Sequence, residues 1–382
     1  MTYIVKFGTS APIFYYNDQI HFDVDKTIQE VYTWNYDKRF EHIPAIHCAH
    51  LISGCEIEDI CPNSLKKDWT EQKKRMKAVV KSFQSVGINI EDKFPTDYIC
   101  GNILLSYLQT KMKIVKSVFE KFSKPGSYDH LLNSEKLLDK IRNQVLNIDD
   151  PQYKKKPVID YNIFGTVTGR LSTRKGSFPI LNLAKSKRSI IKPVNDFFVS
   201  FDYNAAELRT VFGLQGTPQP QEDLHMWIGN NVLKRDISRE EIKKEVFSWL
   251  YDLKKKHPSL NELCNRKKIV KKHWNKEKKE IETIFGRVIK CDHEHSLNYL
   301  MQSVTSDIVL EQSVDVDKYL RSNAMRSFIA FLIHDDVVLD VKGDEIKNIA
   351  TLEKIFSNTR LGKFKTNISI GKDFGNMKQI NI

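Results

Sequence analysis

Residues 331–340 read FLIHDDVVLD. Six of these ten side chains are apolar and favour strands, yet His334, Asp335 and Asp336 sit in their middle. Phe-Leu-Ile on one side and Val-Val-Leu-Asp-Val on the other are expected to form the two strands of a hairpin, with His-Asp-Asp at its tip. Adjacent carboxylates repel each other and resist dehydration. Two of them at the mouth of an apolar hairpin make sense where a cation neutralises the repulsion and repays the desolvation. A solvated Asp-Asp turn is the plainer alternative for this stretch alone.

A second acidic strand end changes the balance. FFVSFDYNAAELR, residues 197–209, runs an apolar strand from Phe197 to Phe201 into Asp202, and a helical pattern follows. A carboxylate leaving a buried strand there can meet the hairpin turn. Magnesium suits such a pair, because it takes few hard oxygen ligands from protein and keeps the rest for water and phosphate. This is the arrangement that phosphoryl transfer between two cations requires.

SREEIKKEVFSWLYD, residues 238–252, repeats Arg239, Lys243, Phe247 and Tyr251 every four residues. Each step on a helix turns 400°, so the four make a slowly drifting stripe about 18 Å long. Two cations followed by two aromatics can hold phosphates at one end and a flat base at the other. An ordinary amphipathic helix with lysines outside is the alternative.

The 382 residues allow two or three subdomains, and a net charge of +12 favours a polyanionic partner. No apolar run reaches the roughly 18 residues of a membrane span, and the N-terminus lacks the pattern of a secretory signal. The expected location is therefore cytoplasmic. Cys48, Cys55, Cys61, Cys100, Cys264 and Cys291 form no CxxC pair and read as reduced thiols. His47, Cys48, His50, Cys55 and Cys61 lie close in sequence, but their spacing fits no standard finger, so zinc is not expected.

Residues 1–61 read as a strand-rich segment of unassigned role, and 62–154 as basic helices. Residues 155–222 mix turns with strands, 223–282 are helical and rich in lysine, and 283–382 return to helix and strand. The lysine run at 254–279 reads mostly as a solvated helical face, with Trp274 a candidate to stack on a base.

Taken in order, TGRLS, DYNAAELR, the Arg-Lys-Phe-Tyr helix, FGRV…HSLNYLMQS, HDD and the closing NISIGKDFGNMKQI resemble the polymerase region of family A DNA polymerases, the DNA polymerase I family. The resemblance spans roughly 160–382, and its spacing is nearest to the polymerases of small tailed phages. It implies an α+β right-hand fold. The helical thumb would be 62–154, an antiparallel-sheet palm would take 155–222 and 283–382, and shortened helical fingers would take 223–282. Asp202 and Asp335 resemble the metal-binding carboxylates, with the Tyr203 backbone carbonyl as a further ligand and two Mg²⁺, or Mn²⁺, as cofactors. Asp336 stands where the family usually has Glu. Arg239, Lys243 and His225 match triphosphate contacts. Phe247 would cover the incoming base, and Tyr251 would guard the template slot. Asp252 replaces the usual glycine after that tyrosine. Glu207 matches the steric gate against ribonucleotides. Arg170, Gln302 and Asn298 resemble minor-groove readers of the primer-template, and His334 resembles the residue that supports the primer end.

The implied activity is template-directed addition of dNTPs to a primer 3′-hydroxyl, in phage DNA replication. No proofreading exonuclease is expected within the chain, and a separately encoded 3′–5′ exonuclease or a processivity factor is an implied partner. FDVDKT, residues 22–27, is a poor substitute for the exonuclease Asp-x-Glu motif. A translesion or repair polymerase, a single-subunit RNA polymerase and a catalytically reduced DNA-binding module are the competing readings; Glu207 and Phe247 speak against the RNA polymerase.

Overall fold

The computed structural model describes residues 2–5, 13–23, 30–36, 46–90, 95–122, 124–144, 146–153 and 158–380. It divides into two compact units, 1–132 and 133–382, and the division falls inside the stretch read as 62–154. Most of FDVDKT lies outside the described residues.

The first unit joins the strand-rich segment and the basic helices around one core. Five short strands line up in the order Gln19–His21, Ile13–Tyr16, Thr2–Val5, Val31–Thr33, Ile46–Cys48. Thr2–Val5 runs antiparallel to Ile13–Tyr16 and parallel to Val31–Thr33. Tyr3, Ile13, Tyr15 and Trp34 pack in one cluster with Leu104, Leu108, Ile114 and Val115 of the helix Gly101–Lys121. Leu104 and Leu108, Ile114 and Val118, and Val115 and Val118 stand three or four residues apart, which puts them on the face the helix buries. The helix Asn63–Ser85 joins the same core through Trp69, whose ring lies 5.3 Å from that of Tyr107. His47 packs among Tyr32, Phe119 and Tyr128.

The second unit is built on a five-stranded antiparallel sheet ordered Phe328–Ile333, Asp336–Val341, Phe197–Tyr203, Thr366–Gly371, Lys378–Ile380. The expected hairpin is present. Ile333 pairs with Asp336, so the loop is His334-Asp335 and Asp336 already belongs to the returning strand. His334 takes the left-handed backbone, φ 54°, that so short a reversal demands. Asp340, inside the apolar run, accepts hydrogen bonds from the backbone of Val194 (2.6 Å) and Asn195 (2.8 Å), which explains a carboxylate only 2% exposed.

The 27-residue helix Ser296–Ser322 is buried over most of its length. The Thr210 and Thr305 hydroxyls meet at 2.8 Å where it packs on the helix Ala206–Gln215. A buried ion pair anchors its middle to the FGRV segment: Arg287 donates to Asp307 from Nε at 3.1 Å and Nη2 at 2.7 Å.

The lysine-rich segment departs from the helical expectation. Helices Arg239–Tyr251, Pro258–Leu263 and Arg266–His273 are followed by a three-stranded antiparallel sheet of Trp274–Asn275, Glu280–Glu282 and Val288–Lys290. The helix stops at Trp274, which is extended (φ −105°, ψ 125°) and donates its indole hydrogen to the Cys291 carbonyl at 3.2 Å. Asn275 then folds a turn by accepting from the backbone of Glu277 and Lys278, both at 3.0 Å. Periodicity missed the change because its cause, the contact with 291–293, is distant in sequence. The half-buried Trp274 is thus committed to packing, edge-on to His293. Among the described residues no helix is long and apolar enough to cross a membrane.

Candidate active site

Phe197–Tyr203 is the central strand of the sheet, and it delivers Asp202 to the end where the hairpin turns. Asp202 lies directly opposite Asp336 on one side and Asn367 on the other. The Tyr203 amide points at the Asp335 carbonyl, 3.5 Å away. Three carboxylates from two distant segments therefore meet at one sheet edge. Asn367 donates to Asp202 at 3.2 Å, and the Ser200 hydroxyl donates to Asp336 at 2.6 Å.

Crowding shows in their acidities. Burial first, and repulsion from Asp335 second, push the Asp202 carboxyl up to about 6. Burial raises Asp335, against the pull of His334, Arg170 and Lys243. Burial, together with the charges of Asp202 and Asp335, pushes Asp336 up to about 8. Such a cluster lacks positive charge, which is what a hard cation supplies.

The sheet edge opens into a cleft of about 360 Å³. Every candidate residue except Asp336 and Asn298 lines it. The four-residue stripe is realised: Arg239, Lys243, Phe247 and Tyr251 all reach the cleft, while Ile242, Val246, Trp249 and Leu250 of the same helix are buried. Ser238 and Glu241 cap its start reciprocally. Its other end is stapled by Arg266, which donates to the Asp252 carbonyl at 2.7 Å and the Lys255 carbonyl at 2.6 Å and lies 4.3 Å above the Trp249 ring. Asp252 has φ −111°, so the usual glycine is not required at that position.

Phe247 carries the contacts between the two ends of the stripe. The Lys243 ammonium sits 5.8 Å from its ring centre, and the Tyr251 and His225 rings lie 5.7 and 5.5 Å away. Burial and the neighbouring Arg239 and Lys243 hold His225 down at about 4, against the pull of Asp223, so the imidazole is neutral at pH 7. Its Nδ1 is buried and finds no hydrogen-bond partner among the described residues.

Glu207 ties the opposite wall together. It accepts from the Arg170 guanidinium and from the Tyr251 hydroxyl, and burial raises its pKa although Arg170 opposes the rise. Arg170 is positioned from behind. Gly169 has φ 75°, and a Cβ there would lie 2.6 Å from Arg287 Cζ, so only glycine lets the loop rest on that guanidinium. Ser306 donates to the Gly169 carbonyl at 3.0 Å.

Two candidates lie off the lining of this cleft. Asp336 packs beside Asp202 rather than lining the cleft, because its strand begins one residue earlier than the tip imagined for the hairpin. Asn298 faces a second cavity of about 940 Å³, also lined by Tyr251 and by Lys254, Lys255 and Lys267, where it donates to the Tyr251 carbonyl at 3.3 Å. Other residues escaped sequence reading. Asn367 touches Asp202, and Thr305 and Ser306 line the cleft. Arg209 is fully buried, donating to the carbonyls of Asn204 (2.6 Å), Pro220 (2.7 Å) and Glu222 (2.9 Å). The arginine of AELR was a visible signal for a buried staple, but its acceptors were not. Among the described residues, no group of three or more His, Cys, Asp or Glu is arranged to hold a metal ion.

No family model matches the chain. Over 254 residues it is 26% identical to a DNA polymerase of Bacillus phage SP01, a match that takes in 50% of this chain and 27% of that protein. The chain thus spans about a quarter of that relative's length. Among solved structures, the POL domain of Pol1 from M. smegmatis, in complex with DNA primer-template and dNTP, matches with a TM-score of 0.50 and 13% identity, over 81% of this chain and 66% of that one. The fold is that of a DNA polymerase domain, α+β as expected. Both comparisons bear out the resemblance to family A polymerases over a polymerase region.

Proposed function

We propose that this polymerase-domain fold carries out template-directed DNA synthesis, adding a deoxynucleotide to a primer 3′-hydroxyl with release of pyrophosphate. One observation carries the reading: a single cleft is lined by Asp202 and Asp335 and by the Arg239–Lys243–Phe247–Tyr251 stripe. Acidic and cationic groups sharing one small cleft match what the reaction needs, carboxylates to hold metal ions near the reacting phosphorus and positive side chains for the leaving phosphates.

The donor set fits hard divalent cations. Asp202 and Asp335 supply anionic oxygens, their pKa values are raised chiefly by burial, which a bound cation would offset, and an open site suits Mg²⁺, which keeps water and phosphate ligands. Asp202 and Asp335 would hold two such ions, with the Tyr203 carbonyl beside them. Bound there, such ions would supply a lowered pKa for the primer hydroxyl and charge neutralisation for the phosphoryl group. Asp336 acts as an auxiliary carboxylate behind Asp202.

The chain's own residues bind and orient. Arg239 and Lys243 hold the β- and γ-phosphates, and neutral His225 donates one further hydrogen bond. Phe247 covers the base, and Tyr251 closes the template slot. Glu207 occupies the space a ribose 2′-hydroxyl needs. Arg170 and Gln302 read acceptors in the minor groove common to all four correct pairs, which tests pair shape without sequence. Asn298 assists from the neighbouring cavity, and His334 supports the primer end. On this reading 62–154 is the thumb, 155–222 and 283–382 the palm, and 223–282 the fingers.

Primer extension with Mg²⁺, offering dNTPs and NTPs in parallel, tests it. Extension confined to the templated dNTP is expected. Failure to extend, or equal use of NTPs, would overturn it.

A further inference from the structure

Asp223 ties together parts of the cleft that come from three separate segments. It caps the helix Leu224–Ile228, accepting from the Met226 backbone at 3.0 Å through Oδ1. Its Oδ2 accepts from Asn204 Nδ2 at 2.8 Å and from Arg239 Nε and Nη2, both at 2.9 Å. Asn204 is fixed in turn: its Oδ1 accepts from the Leu224 amide at 2.9 Å, and its carbonyl accepts from buried Arg209 at 2.6 Å. Asn204 stands two residues after Asp202, at the end of the central strand. The Arg239 hydrogen bond and charge, with those of Met226 and Asn204, outweigh burial and hold Asp223 at about 2.

The guanidinium of Arg239 is thus gripped by its Nε–Nη2 edge. Its Nη1 meets only Glu240, an exposed neighbour on its own helix, at 3.6 Å among the described residues. A planar fork gripped along one edge still offers donors on the other.

The geometry assigns Asp223 as a positioning residue for nucleotide capture: through Asn204 it references Arg239 to the strand that bears Asp202, and it leaves the Nη1 side to a triphosphate. The assignment rests on the polymerase reading for the identity of that triphosphate. Holding the side chain in advance removes an ordering cost at the moment of binding. The alternative is that Asp223 competes with the nucleotide for Arg239. The two differ in sign.

Asp223→Asn keeps an acceptor for Met226 and removes the charge. We expect KM for the templated dNTP to rise roughly three- to tenfold, the cost of ordering one long side chain on binding, with kcat within about twofold and part of the loss restored by Asp223→Glu. Tripolyphosphate affinity, measured by titration calorimetry, falls by the same factor. In an Arg239→Ala background Asp223→Asn then has no further effect, which a merely structural role would not produce. A KM that is unchanged or lowered, or additive losses in the double variant, would overturn the assignment. A wild-type protein that binds tripolyphosphate but extends no primer defeats the polymerase reading instead, and the calorimetric cycle still decides Asp223.

Discussion

Asp202 and Asp336 face each other across paired antiparallel strands, with Asp335 one residue before Asp336 at the turn. Like charges directly opposite on a sheet destabilise it. The arrangement persists because Val337, Val338, Leu339, Val199 and Phe201 bury the strands beneath the edge. The apolar hairpin holds the carboxylates together, and on the proposed reading a divalent cation would make their proximity useful.

Asp202→Asn and Asp335→Asn should each abolish nucleotide incorporation, by roughly a thousandfold or more if the pair supplies about 4 kcal/mol to the transition state, while primer-template affinity stays within a few-fold. Single-turnover extension beside a gel-shift titration checks this. Loss of both activities together would mark the residues as structural.

In the metal-free protein the contribution of Asp202 and Asp336 to stability should fall as pH rises. Asp202 and Asp336 have folded pKa values raised to about 6 and about 8, above the unfolded value, so between about pH 4 and 8 the folded state binds more protons than the unfolded one. Their contribution is therefore most favourable at the acidic end and disappears as pH climbs through 6 and then 8. Mg²⁺ should raise the melting temperature more at pH 8 than at pH 5. Thermal melts with Mg²⁺ and with chelator test the sign; an equal shift at both pH values would count against a cation on this cluster.

Glu207→Ala should admit ribonucleotides at least about tenfold better, since 1.4 kcal/mol of steric cost is already that factor. It also releases Arg170 and Tyr251 from their shared acceptor, so the KM for the correct dNTP should rise as well. Competing single-nucleotide insertions of dNTP and NTP read both effects, and unchanged sugar selectivity would remove Glu207 from the gate.

Arg287→Ala should cost about 3–5 kcal/mol of stability, because Asp307, with no side-chain exposure, loses its bidentate partner. Gly169→Ala should destabilise less, by roughly 1–3 kcal/mol from the left-handed backbone, but should displace Arg170 and relax mismatch discrimination. Chemical denaturation and mispair extension separate the two.

Local pattern was enough for much of this protein. The four-residue repeat of Arg239, Lys243, Phe247 and Tyr251 settles their common face because helical side chains turn 100° per residue. The apolar runs around Asp202 and His334 settle two strands because their side chains are too hydrophobic to stay in water, and the carboxylates at their ends then mark where the strands leave the core. Register, partnership and closure belonged to the tertiary structure. That Asp202 lies opposite Asp336 and beside Asn367, that Asp223 grips Arg239, that Asn298 turns to the neighbouring cavity, and that Trp274 ends a helix to reach Cys291 all depend on groups 16 to 165 positions apart. Such contacts form only when the whole chain has closed, and no short-range periodicity encodes them.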